Sequence, residues 1–189
     1  MIKKFMNIAF MCIVTILIAM PINVYAFDFE QDSNWKKFNE GCERTYTSPI
    51  KANEIIWGSI TGKSGTKNNE MSVERNGVTL AEIKETAKRT AIKLEFHKYS
   101  DGSTAIICTG KHDITGHEIV MMIEPKNRYA YVYDTVSCVS EVVDLGEAVH
   151  IYKGRTLVPI RKFMETFGAK VIYQGKAGDF DIWWPSLHK

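Results

Sequence analysis

The chain has few cysteines, and none lies at a spacing typical of a metal or redox site. Its 189 residues include four cysteines and no C-x-x-C pair, which argues against a zinc ribbon and a thioredoxin-type centre. Three of the four, Cys42, Cys108 and Cys138, lie beyond the N-terminal hydrophobic run. An odd number allows at most one disulfide among these three within the chain, and the spacing does not indicate which pair would form.

The chain also lacks a surplus of charge of either sign. It has 24 lysine and arginine residues against 22 aspartate and glutamate residues. Residues 1–26 hold two of the lysines and no acidic residue, so the rest of the chain is balanced. A nucleic-acid-binding protein normally carries a basic surplus on one face. We therefore expect no nucleic-acid partner.

The one long hydrophobic run lies at the N-terminus and predicts a secretory signal peptide. Lys3 and Lys4 precede an uncharged run at 5–20, Pro21 interrupts it, and small residues precede a cleavage position after Ala26. An uncleaved membrane anchor is the alternative, but a spanning helix needs roughly 20 apolar residues and this run is shorter. We expect a secreted or cell-surface protein that has no membrane contact after cleavage.

Motifs of catalysis are missing as well. There is no glycine-rich phosphate loop, serine nucleophile elbow or paired catalytic acid motif. His112 and His117, with Asp113 between them, could offer nitrogen and oxygen ligands to copper or zinc. The alternative is a polar loop that leads into a strand, because a structural zinc site normally has four ligands. On the second interpretation the protein has no catalytic residue, no metal ligand and no cofactor.

What the sequence does have is a stretch at 153–169 that is punctuated as a turn followed by a helix. Gly154 suits a tight turn, and Pro159 suits the first turn of a helix, where its missing N–H would have no partner. Gly168 ends the run as a C′ glycine does. The apolar positions between them fall at helical spacing, namely Leu157, Ile160, Met164 and Phe167.

An earlier stretch, 76–96, resembles 153–169 at a distance of 77 residues; in chain order, we call 76–96 the first stretch and 153–169 the second. The helix of the first stretch is predicted to begin near Thr79, which has capping-box spacing to Glu82. The matched positions are Gly77 with Gly154, Thr79 with Thr156, Leu80 with Leu157, Ile83 with Ile160, Lys93 with Lys170, Leu94 with Val171 and Phe96 with Tyr173. An internal repeat is one explanation, and a coincidence of two amphipathic helices is the other. The predicted class is α+β, with mostly antiparallel strands and two short helices in tandem β-α-β-β units.

The motif GRTLVPIR at 154–161, followed by Gly168–Val171, resembles the copper amine oxidase N-terminal-like domain. This family is a small α+β stalk module of exported proteins from Gram-positive bacteria. The resemblance covers about 117–184, although Tyr173 and Gln174 stand where such domains often have a tryptophan–acid pair. It implies a scaffold role for the motif residues Gly154, Arg155, Thr156, Leu157, Val158, Pro159, Ile160, Arg161 and Gly168. It implies no oxidase chemistry, because the copper and the tyrosine-derived quinone belong to a separate large domain.

The resemblance and the repeat together suggest four segments. Residues 1–26 form the signal peptide and 27–53 a lead-in. Residues 54–116 form a degenerate first copy of the stalk-like unit, and 117–189 form the copper amine oxidase N-terminal-like domain. The first copy is the more divergent, since Ala81 and Glu82 stand in place of Val158 and Pro159.

Four residues are candidates for ligand binding. Arg155 and Arg161 could anchor a carboxylate or phosphate, or could pair with acidic residues of their own module. Trp183 and Trp184 are neighbours on a predicted strand, so one should face the core and the other outward. The outward ring could stack on a sugar, or another part of the chain could cover it.

The predicted function is that of a secreted, non-catalytic module for cell-envelope association, adhesion or display. Its partner would be an unidentified protein or a cell-wall glycan. The alternatives are a small exported metal-binding protein or enzyme that uses the His112/His117 region, or a regulator of a partner enzyme.

Overall fold

The secondary structure confirms the predicted α+β class. A computed structural model describes residues 32–41, 50, 55–61, 67–99, 102–174 and 180–188, where antiparallel strands predominate and the helices are short. These residues all belong to one compact unit, Asp32–Lys189. The predicted signal peptide, its cleavage position and Cys42 lie outside the described residues. No helix in the described ranges is long and apolar enough to cross a membrane.

In the part of the chain that the structure describes, hairpins are interspersed with three short α-helices. Where the sequence predicts two helices, a third, α1, is present ahead of the first strand. The bounds are α1 (Ser33–Gly41), β1 (Ile55–Thr61), β2 (Lys67–Arg75), β3 (Val78–Glu82), α2 (Ile83–Thr90), β4 (Lys93–Lys98), β5 (Thr104–Lys111), β6 (Glu118–Ile123), β7 (Tyr129–Asp134), β8 (Val139–Asp144), β9 (His150–Tyr152), β10 (Arg155–Pro159), α3 (Ile160–Thr166), β11 (Lys170–Tyr173) and β12 (Phe180–Trp183), before a 3₁₀ helix (Pro185–His188).

The strands form two sheets. The larger has the order β11-β12-β1-β2-β3-β10-β9, in which only β12 and β1 run parallel, and the smaller is the meander β4-β5-β6-β7-β8. The range that the resemblance covers begins with β6 and β7, which pair as a hairpin of the meander. The larger sheet mixes strands from the predicted segments 54–116 and 117–189, because β3 of the first pairs with β10 of the second.

The pairing of β3 with β10 is symmetric in sequence. Ala81 faces Val158, with Leu80 opposite Pro159 and Glu82 opposite Leu157. Residues 81 and 158 are themselves 77 positions apart, which is the distance between the two similar stretches. Both strands follow a two-residue turn with positive φ at each central position, as a type I′ hairpin requires: these are Asn76 and Gly77 in the first, Lys153 and Gly154 in the second.

The helices begin later than the sequence predicts. Residues 78–82 and 155–159 are strands, and α2 and α3 start only at Ile83 and Ile160. The predicted capping box is wrong, since the helix N-cap is Glu82 and it makes no side-chain capping bond. The prediction missed these strands because their apolar positions also fit a helical period. Strand pairing within the larger sheet decides the conformation.

The main hydrophobic core takes side chains from both sheets and from α2 and α3. Alternation along the strands divides the sheet residues between its faces. Ala81 and Val158 enter the main core, whereas their neighbours Leu80 and Leu157 join a smaller cluster with Val73. All five side chains are fully buried, which accounts for the apolar runs in β3 and β10.

The first helix, α1, packs on the smaller sheet. Asp32 caps it, because its carboxylate accepts hydrogen bonds from the backbone N–H groups of Asn34 and Trp35 at 2.8 and 2.9 Å. The ring of Trp35 meets Tyr131 of β7 edge-on, with centroids 5.4 Å apart. The Asn34 amide donates to the carbonyl oxygen of Ser140 in β8 at 2.9 Å. These contacts cover one face of the meander.

Candidate functional site

The three candidate metal ligands of the β5–β6 turn have three different partners. His112 Nδ1 accepts the backbone N–H groups of residues 114 and 115 at 3.3 Å each. The Asp113 carboxylate accepts the N–H and hydroxyl of Ser186 at 2.7 and 2.5 Å. His117 Nδ1 lies 2.8 Å from Asp134 Oδ2. Within the described ranges, no group of three His, Cys, Asp or Glu side chains could hold a metal ion.

Asp134, at the end of β7, links the β5–β6 turn to the β7–β8 turn. The hydrogen bond with His117 lowers the pKa of its carboxyl group well below the usual value, and the backbone N–H groups of Val136 and Ser137 lower it further. The neighbouring Thr135 N–H donates to the carbonyl oxygen of Glu118 at 3.0 Å. His117 therefore acts in the structure as a link between β6 and β7.

The β5–β6 turn also holds the end of α3. The Asp113 N–H donates to the carbonyl oxygen of Phe167 at 2.9 Å. The His112 ring lies against Gly168, so close that a Cβ there would come within 2.8 Å of the ring carbon Cε1. Gly168 has a φ of +78° and donates to the Glu165 carbonyl oxygen. Both the backbone conformation and the close ring explain why this helix ends in glycine.

Arg155 is engaged by its own module. Its guanidinium donates to Glu82 Oε2 at 2.7 Å across the β3–β10 pair. The Glu82 side chain is almost buried, while that of Arg155 is about half exposed at 49 %. The arginine thus compensates the charge of Glu82, which stands where the second stretch has Pro159. This contact is the pairing with an acidic residue of the same module that the sequence analysis left open.

Arg161 takes a different position. Its guanidinium carbon lies 4.9 Å from the centre of the Tyr173 ring, which is a cation–π distance. The residue lines a small cavity of about 260 Å³ together with Pro159, Lys162 and the β2–β3 turn. The two arginines of the motif therefore lie in separate surroundings, and the structure does not bring them together around one ligand.

The two neighbouring tryptophans divide as strand alternation predicts. Trp184 is 3 % exposed and belongs to the main core. Trp183 is only partly buried, and the ammonium group of Lys170 lies 5.3 Å from its ring centre. On the strand β11, Ile172 is 45 % exposed and pairs with Asp181. We call the outward set Lys170, Ile172, Asp181 and Trp183 the Trp183 face.

The partners of Trp183 on this face are absent from the sequence-based candidates. Their signal is the alternation in β11, where Lys170 and Ile172 point away from the core while Val171 and Tyr173 contact it. Gln174 donates a hydrogen bond to Asp181 at the edge of the same face. A ring, an aliphatic side chain and hydrogen-bonding groups therefore share one surface at the edge of the larger sheet.

A partly buried polar cluster joins the β2–β3 turn to Glu147 and to His150 at the start of β9. Asn76 donates to Glu147 Oε2 at 2.8 Å, and His150 Nε2 lies 3.3 Å from Glu147 Oε1. Arg75 Nη1 lies 3.3 Å from His150 Nδ1. Burial acts to raise the pKa of Glu147, but the hydrogen bonds from Asn76, the Ala148 N–H and His150 outweigh it and the pKa is lowered. No sequence motif marks this cluster, because its members come together only in the fold.

The two described cysteines are both free thiols. Cys108 is buried in the main core, and burial raises the pKa of its thiol. Cys138 is exposed in the β7–β8 turn with a φ of +56°. The predicted disulfide among Cys42, Cys108 and Cys138 stays a prediction, because Cys42 lies outside the described residues.

Comparison with known proteins gives one match. A family model for the copper amine oxidase N-terminal domain matches residues 72–182, which is more than half of the chain. No curated protein and no solved structure matches. The matched range runs from β2 to β12 and so includes both similar stretches. It corresponds to an accessory domain of the oxidase and not to its catalytic domain. The chain therefore belongs to the copper amine oxidase N-terminal domain family.

Proposed function

We propose that this protein is an exported, non-catalytic module that acts at the cell envelope through contacts with a glycan or a protein. Membership of an accessory-domain family supports a non-catalytic role. The basic start, uncharged run and small-residue site at 1–26 support export. His112, Asp113 and His117, the residues on which a metal-dependent alternative would depend, each have a structural partner.

The Trp183 face is the observation that carries the proposal. It presents a partly exposed indole ring beside Ile172, with the charged groups of Lys170 and Asp181 around it. An aromatic ring offers a flat apolar surface with little conformational entropy to lose. The Gln174 amide and the Asp181 carboxylate beside it can form hydrogen bonds with the hydroxyl groups of a sugar. Such a surface suits a sugar ring, and it equally suits a protein loop.

A cell-wall binding assay tests this function. We expect the purified protein to be retained on insoluble peptidoglycan or cell-wall polysaccharide, and Trp183→Ala to lower the retained fraction about tenfold if the ring is the main contact. Phe96→Ala is the matched control, because Phe96 is an exposed aromatic residue on the other sheet. Trp184→Ala is unsuitable, since that ring is part of the core. If the wild-type protein is not retained, the glycan form of the proposal fails.

Two further measurements separate the remaining forms. Cross-linking in the secreted fraction, with wild type and Trp183→Ala side by side, would identify a protein partner or a partner enzyme that this chain regulates. Metal analysis of the purified protein addresses the metal-binding alternative. Stoichiometric copper or zinc would contradict the non-catalytic module as proposed, because a module of this kind needs no metal.

A further inference from the structure

The end of the smaller sheet that holds the β5–β6 and β7–β8 turns has an unusual surface. The two turns lie side by side, because His117 contacts Asp134 and Thr135 donates to Glu118. This end is separate from the Trp183 face, which belongs to the larger sheet.

Three large aliphatic side chains are exposed on these turns. Ile114 is 60 % exposed in the β5–β6 turn, Val136 is 62 % exposed in the β7–β8 turn, and Val139, where that turn enters β8, is 60 % exposed. They are half of the large hydrophobic residues exposed in the described ranges. Isolated surface hydrophobic residues are ordinary, but a group of them on one surface marks a contact site more often. We call Ile114, Val136 and Val139 the turn patch.

A cavity of about 350 Å³ opens beside the turn patch. Val139 lines it, together with Ile119 and Val132 at its apolar base. Three carboxylates also line it, those of Asp134, Glu141 and Glu165, against the single histidine His112. Within the described residues Glu141 has no ion-pair partner, and Glu165 meets only the exposed Lys162 at 3.0 Å. An exposed pair of this kind contributes little and exchanges readily.

We propose that the turn patch and this cavity bind a segment of another protein that carries lysine or arginine side chains between aliphatic ones. The aliphatic side chains would cover Ile114, Val136 and Val139. A basic side chain would enter the cavity, where its alkyl stem can lie along Ile119 and Val132 while its charged head meets Glu141 and Glu165. An anionic partner is disfavoured by the same carboxylates. A neutral glycan would leave the aliphatic side chains unmatched.

Peptide binding to the purified full chain tests this proposal. The probe is a labelled synthetic peptide of alternating lysine and leucine, and the reference peptides alternate lysine with serine or glutamate with leucine. We expect fluorescence anisotropy to give a dissociation constant about tenfold lower for the lysine–leucine peptide than for either reference, because only that peptide satisfies both the charges and the apolar surface.

Variants locate the binding site. Glu141→Gln, which removes the unpaired carboxylate, should weaken binding roughly fivefold, and the double variant Val136→Ser/Val139→Ser should do the same by removing apolar contact. The matched controls are Glu95→Gln on β4 and Ile151→Ser on β9, which are exposed residues of the same types elsewhere. They should change the dissociation constant by less than about twofold.

Three results would overturn the proposal. The first is equal binding of the lysine–leucine and lysine–serine peptides, since that would be unspecific attraction by charge. The second is a loss of binding in the control variants that equals the loss in the turn-patch variants. The third is self-association of the protein that Val136→Ser/Val139→Ser abolishes, since the occupant would then be a second copy of this chain. Unchanged circular dichroism of each variant ensures that a loss of binding is not a loss of folding.

Discussion

The segments 78–90 and 155–166 share one plan, an interior strand of the larger sheet followed at once by a helix, but their buried side chains differ. At the positions 77 residues apart, α3 and its C-cap residue bury Phe163, Met164 and Phe167, whereas α2 buries Thr86, Ala87 and Thr90. All six are buried. The large side chains of one helix are thus matched by small ones of the other, which is how a single core can receive two helices of equivalent position.

The buried threonines of α2 remain compatible with an apolar setting because each satisfies its own hydroxyl group. Thr86 Oγ1 donates to the Glu82 carbonyl oxygen at 2.9 Å, and Thr90 Oγ1 donates to the Thr86 carbonyl oxygen at 2.8 Å. The first stretch therefore packs by small size and internal hydrogen bonds. The second packs by apolar volume, and it should be the more sensitive of the two to substitution.

The largest expected effect comes from removing a large buried side chain of α3. Phe163→Ala should lower the free energy of unfolding by about 3 to 5 kcal/mol, because a fully buried ring leaves a cavity. The equivalent substitution in the first stretch, Thr86→Ala, should cost about 1 kcal/mol, since it removes one local hydrogen bond and little volume. Urea denaturation of both variants measures the difference. Equal losses would mean that the two helices contribute equally to the core.

The residues that end the two helices give the next test. Gly168→Ala should cost about 2 to 4 kcal/mol, from its positive φ and from the collision with His112. The equivalent residue of the first stretch is Ala91, which has a φ of +56°. Ala91→Gly should instead raise the free energy of unfolding by up to about 1 kcal/mol, as it relieves the left-handed strain. The midpoints of thermal and urea unfolding should fall for Gly168→Ala and rise for Ala91→Gly. A loss of stability in Ala91→Gly would contradict this account.

A smaller effect is expected at the ion pair between Arg155 and Glu82, which joins β10 to β3. Arg155→Ala should cost about 1 to 2 kcal/mol, because Glu82 would keep a buried carboxylate without its partner. The double variant Glu82→Gln/Arg155→Ala should recover part of that loss, and a double-mutant cycle measures the coupling. Additive costs would show that Arg155 stabilises the strand pair through packing and not through Glu82.

The smallest expected effect concerns Glu147, which links the β2–β3 turn to the segment ahead of β9. The pKa of Glu147 is lowered from its ordinary value of 4.5, so its ionised form favours the folded state. That contribution is present above pH 4.5 and is lost as the pH falls through the lowered pKa. Glu147→Gln should therefore make stability less dependent on pH below about pH 5. Unfolding curves at several pH values measure this, with Glu74→Gln, an exposed acid on β2, as the control; an unchanged slope in Glu147→Gln would exclude a role for the carboxylate.

Turn-forming residues and apolar spacing predicted the turns and the existence of the two helices. They failed to place the helix starts, where one apolar pattern fits both a helix and a strand. Gly154 lies in a tight turn as predicted, and Gly168 follows the helix as a C′ residue. The helix starts were placed too early because Leu80 and Leu157 fit both a helical and a strand period. Only strand pairing distinguishes the two, and one partner of each strand lies in the other stretch.

The candidate sites show the same division. The sequence singled out Arg155, Arg161 and Trp183, but their surroundings come from residues far away in the chain. Arg155 donates a hydrogen bond to Glu82, Arg161 lies over the ring of Tyr173, and Lys170 lies over the ring of Trp183. The turn patch has no sequence motif, because exposure of Ile114 and Val136 depends on how two hairpins end. Local chemistry is visible in sequence, but a surface is a property of the assembled sheet.

The sequence by itself determined the class of fold, the family motif and the positions of the tight turns. These depend on residues close together in the chain, through backbone conformation and alternation of apolar side chains. The tertiary structure alone decided that β3 and β10 pair, that His112 lies against Gly168 and that Asp134 takes His117 as its partner. Those contacts join residues far apart in the chain, and their free energy depends on burial and close packing that exist only once both sheets have formed.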